Sequence, residues 1–132
     1  MTAAYVCVVI AALLPIVCAG IAKGGRFGVA RAKGGYDNRD PRAWLAQQTG
    51  YRARANAAQA NGFEALPFFI GAVLIAHQTH ASQALVDGLA LAFIALRIAY
   101  IGLYLADRDI ARSTVWTLAL ASCIALVFSS RF

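Results

Sequence analysis

Four runs of apolar positions divide the chain, at about 2–22, 56–76, 85–106 and 113–130. Each is near the roughly 20 residues that a helix needs to cross a bilayer, so each is read as a transmembrane helix. The first run has no basic stretch before it and is longer than the apolar core of a signal peptide. It is therefore expected to be a retained span. Pro15 lies inside the first run and Pro67 inside the second, and each is expected to kink its helix. No strand-like alternation, internal repeat or soluble domain interrupts the pattern. The fold class is all-α: one integral-membrane four-helix bundle.

The polar stretches between the runs are unequal. Residues 23–55 form a long loop with Lys23, Arg26, Arg31, Lys33, Arg39 and Arg42 against Asp37 and Asp40. Gly24-Gly25 and Gly34-Gly35 mark turns in it. Asp40-Pro41 ahead of Arg42-Ala-Trp44-Leu predicts a short helix, with Asp40 as N-cap and Pro41 at its first position. Trp44 is placed as an interfacial anchor. The turn after the third run carries Arg108 and Arg112, whereas the turn after the second has His77 and His80 and no Lys or Arg. The two histidines are expected to be solvated turn residues. By the positive-inside rule both basic loops are cytosolic and both termini lie outside.

Composition agrees with this. Hydrophobic residues make up 61% of the 132 positions, against about 45–50% in a soluble domain. The net charge of +6 is concentrated beside the first two spans. That is a topology signal, or a patch for anionic lipids or substrates, and no nucleic-acid partner is expected. Cys7, Cys18 and Cys123 all lie in apolar runs without metal-like spacing, and no metal site is expected.

The informative residues are the polar ones inside the spans. Glu64 sits within the second, where an ionised group costs roughly 2.5–3.5 kcal/mol unless it is paired. Counted at 1.5 Å per residue, Glu64 is about 12 Å from the cytosolic end of its span and Arg97 about 14 Å from that of the third. Equal depth on neighbouring antiparallel helices predicts a structural Glu64–Arg97 ion pair. Asn61 is one turn shallower than Glu64, and Arg54 two turns before Asn61. Arg97, Tyr100, Tyr104 and Arg108 form one stripe, and Arg112 and Ser113 open the fourth span. These groups can converge on a cytosol-facing pocket suited to carboxylates and to a thiolate. Each has a plainer reading too: the tyrosines as interfacial belt, Arg108 and Arg112 as topology charges, Asn61 as a packing contact between helices.

Ala58-Gln-Ala-Asn61-Gly-Phe-Glu64-Ala-Leu-Pro67, together with Arg97-Ile-Ala-Tyr100-Ile-Gly-Leu-Tyr104 and Ile110-Ala-Arg112-Ser113, resembles the motifs of the MAPEG family, the membrane-associated proteins of eicosanoid and glutathione metabolism. The resemblance spans essentially the whole chain. It implies a homotrimer of four-helix bundles that binds glutathione near the cytosolic face, as co-substrate for attack on lipophilic electrophiles. It further implies glutathione contacts at Asn61, Glu64, Tyr100 and Tyr104, a thiolate-holding Arg112 with Ser113 beside it, and a core Arg97 facing the glutamate. Two positions depart from the pattern. Ala57 stands where glutathione-dependent members usually carry arginine, with Arg54 the candidate substitute, and Ala65 stands where leukotriene-forming members often carry tyrosine.

Two functions follow. One is a membrane glutathione-dependent transferase or peroxidase-like enzyme. The alternative is a non-catalytic scaffold that binds lipid or another membrane protein, which the two alanines motivate. A small multidrug transporter would need a carboxylate in the first span, and that span carries no charge.

Overall fold

The computed structural model describes residues 1–131. Its long helices are α1 (Ala3–Lys23), α3 (Gly50–Gln78), α4 (Gln83–Leu105) and α5 (Asp109–Val127), with a short α2 (Pro41–Ala46) in the loop. All four long helices are long and apolar enough to cross a membrane. They form an antiparallel bundle, in which α1 packs mainly on α3 and α4 mainly on α5. The expected spans are all present, but α3 starts at Gly50 and α5 at Asp109, each several residues earlier than the apolar pattern suggests. The added turns, residues 50–55 and 109–112, carry Arg52, Arg54, Asp109 and Arg112, which lower the local hydropathy without breaking the helix.

Small side chains set the helix spacing. The buried stripe of α1 is Ala4, Cys7, Ala11, Pro15, Cys18 and Ala22. It meets Ala55, Ala58, Ala72 and Ala76 of α3 among others. Without a water-driven hydrophobic force between helices in lipid, such close approach supplies the packing energy. Cys7 and Cys18 are buried free thiols of this seam, and Cys123 is a buried free thiol on α5. The far half of the bundle is filled by Phe69 stacked on Phe93, their centroids 4.0 Å apart. Pro15 and Pro67 lie inside α1 and α3, and neither ends its helix.

Helix ends are closed by side chains and by tight turns. Arg52 donates to the carbonyls of Ala22 (2.9 Å) and Gly24 (2.7 Å) at the end of α1. Arg54 donates to Leu105 at the end of α4 (3.1 and 3.2 Å) and lies 3.8 Å from the Asp107 carboxylate. Both guanidiniums thus meet orphan carbonyls at the negative ends of helix dipoles. At the other side of the bundle, the Asp87 carboxylate accepts from the Ala4 N–H (2.8 Å) and so caps α1. His77 is half-buried in the last turn of α3, stacked on Tyr5 at 4.5 Å, with Nδ1 2.8 Å from the Val73 carbonyl. It is not the solvated turn residue expected. Only His80 is exposed, and it and Asp107 take the left-handed conformation (φ 55° and 59°) that ends α3 and α4.

The basic loop folds as a cap. Asp40 accepts from the Ala43 N–H (3.1 Å), and α2 starts at Pro41, as its sequence predicts. Trp44 is not an interfacial anchor. It is 8% exposed, clustered with Ala22, Leu45 and Ala55, and edge-on to Tyr36 at 5.3 Å. The loop therefore has its own small core, seated on the ends of α1 and α3.

Gly62 marks the closest approach of α1 and α3. A Cβ there would stand 2.7 Å from Cγ of Pro15, a ring that cannot rotate away. Gly62→Ala is expected to destabilise the bundle by about 1–3 kcal/mol, read as a lower unfolding midpoint in detergent. Gly71→Ala, where nothing lies within 4 Å of the added carbon, is expected not to lower it.

Candidate functional site

Arg97 projects from α4 into the bundle and is 4% exposed. Its Nη1 donates to Asn61 Oδ1 at 2.9 Å. The Asn61 amide in turn donates to Glu64 Oε2 at 3.4 Å. The direct Glu64–Arg97 pair expected from equal depth is not formed. Among the described residues the ion pairs are Arg31–Asp37 and Arg54–Asp107. Depth along the spans fixes only the position along the helix axis. Asn61, three residues before Glu64, is rotated toward α4, and Glu64 lies on the exposed side of α3. Asn61 therefore relays the contact, its carbonyl accepting from the cation and its N–H₂ donating to the anion.

A second chain of contacts leads from Arg97 toward the basic-loop side. Its guanidinium lies 4.5 Å from the Tyr100 ring centroid. Tyr100 and Tyr104 meet edge-to-face at 5.5 Å. The Arg112 guanidinium lies 4.3 Å from the Tyr104 ring. The i, i+4 spacing on α4 stacks the two rings, and the tight turn at Asp107 returns the chain so that the first turn of α5 places Arg112 against the second ring. Two cations thus flank two aromatic faces, an arrangement favoured by the ring quadrupoles.

Two hollows adjoin this ladder. One, of about 410 Å³, is bordered by Tyr100, Tyr104, Arg112, Ser113, Trp116 and Thr117. The other, of about 180 Å³, has Asn61, Glu64 and Arg97 at its polar edge and walls of Phe68, Phe93 and Trp116, with Ala65 and Ala119 leaving the space. Trp116 borders both. The first presents a guanidinium and hydroxyl groups, hence donors for an anion. The second is mostly apolar.

Of the residues singled out from the sequence, Tyr100, Tyr104, Arg112 and Ser113 gather at the first hollow, and Asn61, Glu64 and Arg97 at the second. Arg54 borders neither, because its guanidinium is engaged at the end of α4. Ala65 borders the apolar hollow, and Ala57 borders neither. Among the described residues no group of three His, Cys, Asp or Glu side chains gathers as a metal would require. Trp116, Phe68 and Phe93 were missed. Trp116 was within reach of the sequence, since it lies three and four residues after Ser113 and Arg112 and so on their face of α5.

The MAPEG family model matches residues 3–132. The chain belongs to the MAPEG family. No curated protein and no solved structure matches it. Membership together with the four spans makes this an integral membrane protein of MAPEG type.

The relay makes Asn61 the keystone of this polar cluster. Asn61→Ala removes the recorded acceptor of a buried guanidinium and is expected to cost about 1–3 kcal/mol. Glu64→Gln keeps an acceptor for the Asn61 amide on an exposed side chain and is expected to cost less. Unfolding midpoints of the two variants in one detergent check the order.

Proposed function

We propose that this MAPEG protein is a membrane-embedded glutathione-dependent enzyme of transferase or peroxidase type acting on lipophilic electrophiles. One observation carries the reading: a donor-rich hollow holding Arg112 and Ser113 abuts, across Trp116, an apolar hollow within the spans. Catalysis between a polar thiol and a lipid-soluble electrophile needs those two environments side by side.

In this reading Arg112 holds the sulfur as thiolate, the attacking form, and the Ser113 hydroxyl adds a second donor. Tyr104 fixes the Arg112 guanidinium through ring contact. Tyr100, Tyr104, Asn61 and Glu64 bind the rest of the tripeptide, the carboxylate of Glu64 being suited to its ammonium group. Arg54 closes the end of α4 beside this site and supports the position of Tyr104. Membership of the family supports a homotrimer, with exposed Glu64 covered by a neighbouring copy, since a carboxylate facing lipid is costly. The asymmetry of basic residues supports cytosolic placement of the long loop and of the thiol hollow, with both termini outside.

The alternative, a scaffold binding lipid or a membrane protein, rests on Ala57 and Ala65. Purified protein in detergent separates the two. Glutathione is expected to show thiolate absorbance on binding and to be conjugated to an aryl halide. Arg112→Ala is expected to lower kcat/KM about 10²-fold, by loss of a charge-stabilising donor. An inactive wild type, or an unimpaired Arg112→Ala, favours the scaffold.

A further inference from the structure

Away from the thiol hollow, the loop cap holds an open hollow of its own, bordered by Arg31, Gly34, Asp37, Asp40, Trp44 and Gln47 among others. Its charges are unevenly satisfied. Arg31 and Asp37 pair with each other at 3.3 Å. Asp40 accepts from the Ala43 N–H through one oxygen and has no cationic partner among the described residues. Arg26, whose Nη1 lies 3.7 Å from where a Cβ on Gly34 would stand, has no anionic partner among them either. Trp44 borders the hollow while only 8% exposed, and its indole N–H donates to no acceptor among the described residues, yet it is not sealed off. A guanidinium and an indole N–H are thus left for an anion, beside a carboxylate left for a cation.

Height in the membrane decides what reaches this hollow. Helix α1 has 21 residues, about 31 Å at the helical rise, which matches the hydrocarbon thickness. The cap packs on its last turn, with Trp44 clustered with Ala22, and so lies at the level of lipid headgroups. There Phe27 stands 62% exposed between Gly25 and Gly28, both in the left-handed conformation (φ 70° and 74°). An exposed ring next to a guanidinium suits the boundary between headgroup and acyl chain.

We infer that this hollow is a headgroup site for a phospholipid bearing a primary ammonium group, of the ethanolamine type. Arg26 and the Trp44 N–H take the phosphate, Asp40 takes the ammonium, and Phe27 contacts the top of the acyl chains. An anionic headgroup without an amine would leave Asp40 unpaired beside a phosphate. A choline headgroup has no N–H to donate, and its quaternary nitrogen favours open aromatic faces, which the buried Trp44 does not offer. The site fills whether or not a thiol is bound.

The test places the full chain in nanodiscs of equimolar phosphatidylethanolamine, phosphatidylcholine and phosphatidylglycerol, and counts the lipid retained on the protein by native mass spectrometry. Phosphatidylethanolamine is expected to be retained about two- to fivefold over phosphatidylcholine, the range of one exposed ion pair. The two have the same net charge, so a general electrostatic effect leaves their ratio alone. Asp40→Asn keeps an N-cap for α2 but loses the charge, and is expected to abolish the preference. Arg26→Gln is expected to lower retention of phosphatidylethanolamine by a similar factor. No preference in the wild type, phosphatidylglycerol retained above both, or a preference unchanged in Asp40→Asn would each overturn the proposal. Displacement of the retained lipid by soluble glycerophosphoethanolamine would assign the hollow to a free ligand and overturn the lipid reading.

Discussion

A guanidinium buried among four apolar helices constrains everything around it. Arg97 is too costly to leave without partners at membrane depth, so the bundle has to bring it an acceptor, a counter-charge and a polarisable face. Asn61 is the acceptor, Glu64 the counter-charge one step removed, and Tyr100 the face. These contacts tie α4 to α3. Through Tyr104 and Arg112 the tie continues to α5, so three helices are held in register by one extended polar contact.

The same contact explains why the bundle holds space. A long side chain enters the core of α4 where its neighbours on α3 and α5 are Ala65 and Ala119. Elsewhere alanine faces alanine or cysteine and the helices close up, as at Gly62 against Pro15. Beside Arg97 the small residues face each other across a gap that the large aromatics only border. Further side-chain hydrogen bonds lie at the helix ends. Arg52 and Arg54 close α1 and α4 on the loop side, and Asp87 closes α1 on the other. The loop cap, with Trp44 as its centre, seats on the same ends that these arginines close.

Much of the site could be read in advance because helical periodicity is strict. Arg97, Tyr100 and Tyr104 had to share a stripe, and the short turn at Asp107 had to return Arg112 toward it. The errors came from quantities that periodicity does not carry. Equal depth suggested a direct Glu64–Arg97 contact, but the rotation of α3 about its axis put Asn61 in between. Arg54 was on a suitable face for ligand binding, yet its guanidinium is taken by the carbonyl of Leu105. Trp44 and His77 were assigned to lipid interface and solvent by their place in the chain. Both found partners from distant segments, Trp44 in the cap and His77 on Tyr5.

By itself the sequence determined that four helices are long and apolar enough to span a membrane, that basic residues collect at one end of the bundle, and which polar groups fall inside the apolar runs. Those follow from the hydrocarbon thickness, the rise per residue and the cost of charge in lipid, all of which act locally. Only the tertiary structure decided which face of each helix meets which neighbour, and hence that an amide stands between the two charges and that a cleft opens beside them. Rotation about a helix axis is settled by packing against other helices, and no run of residues contains that information alone.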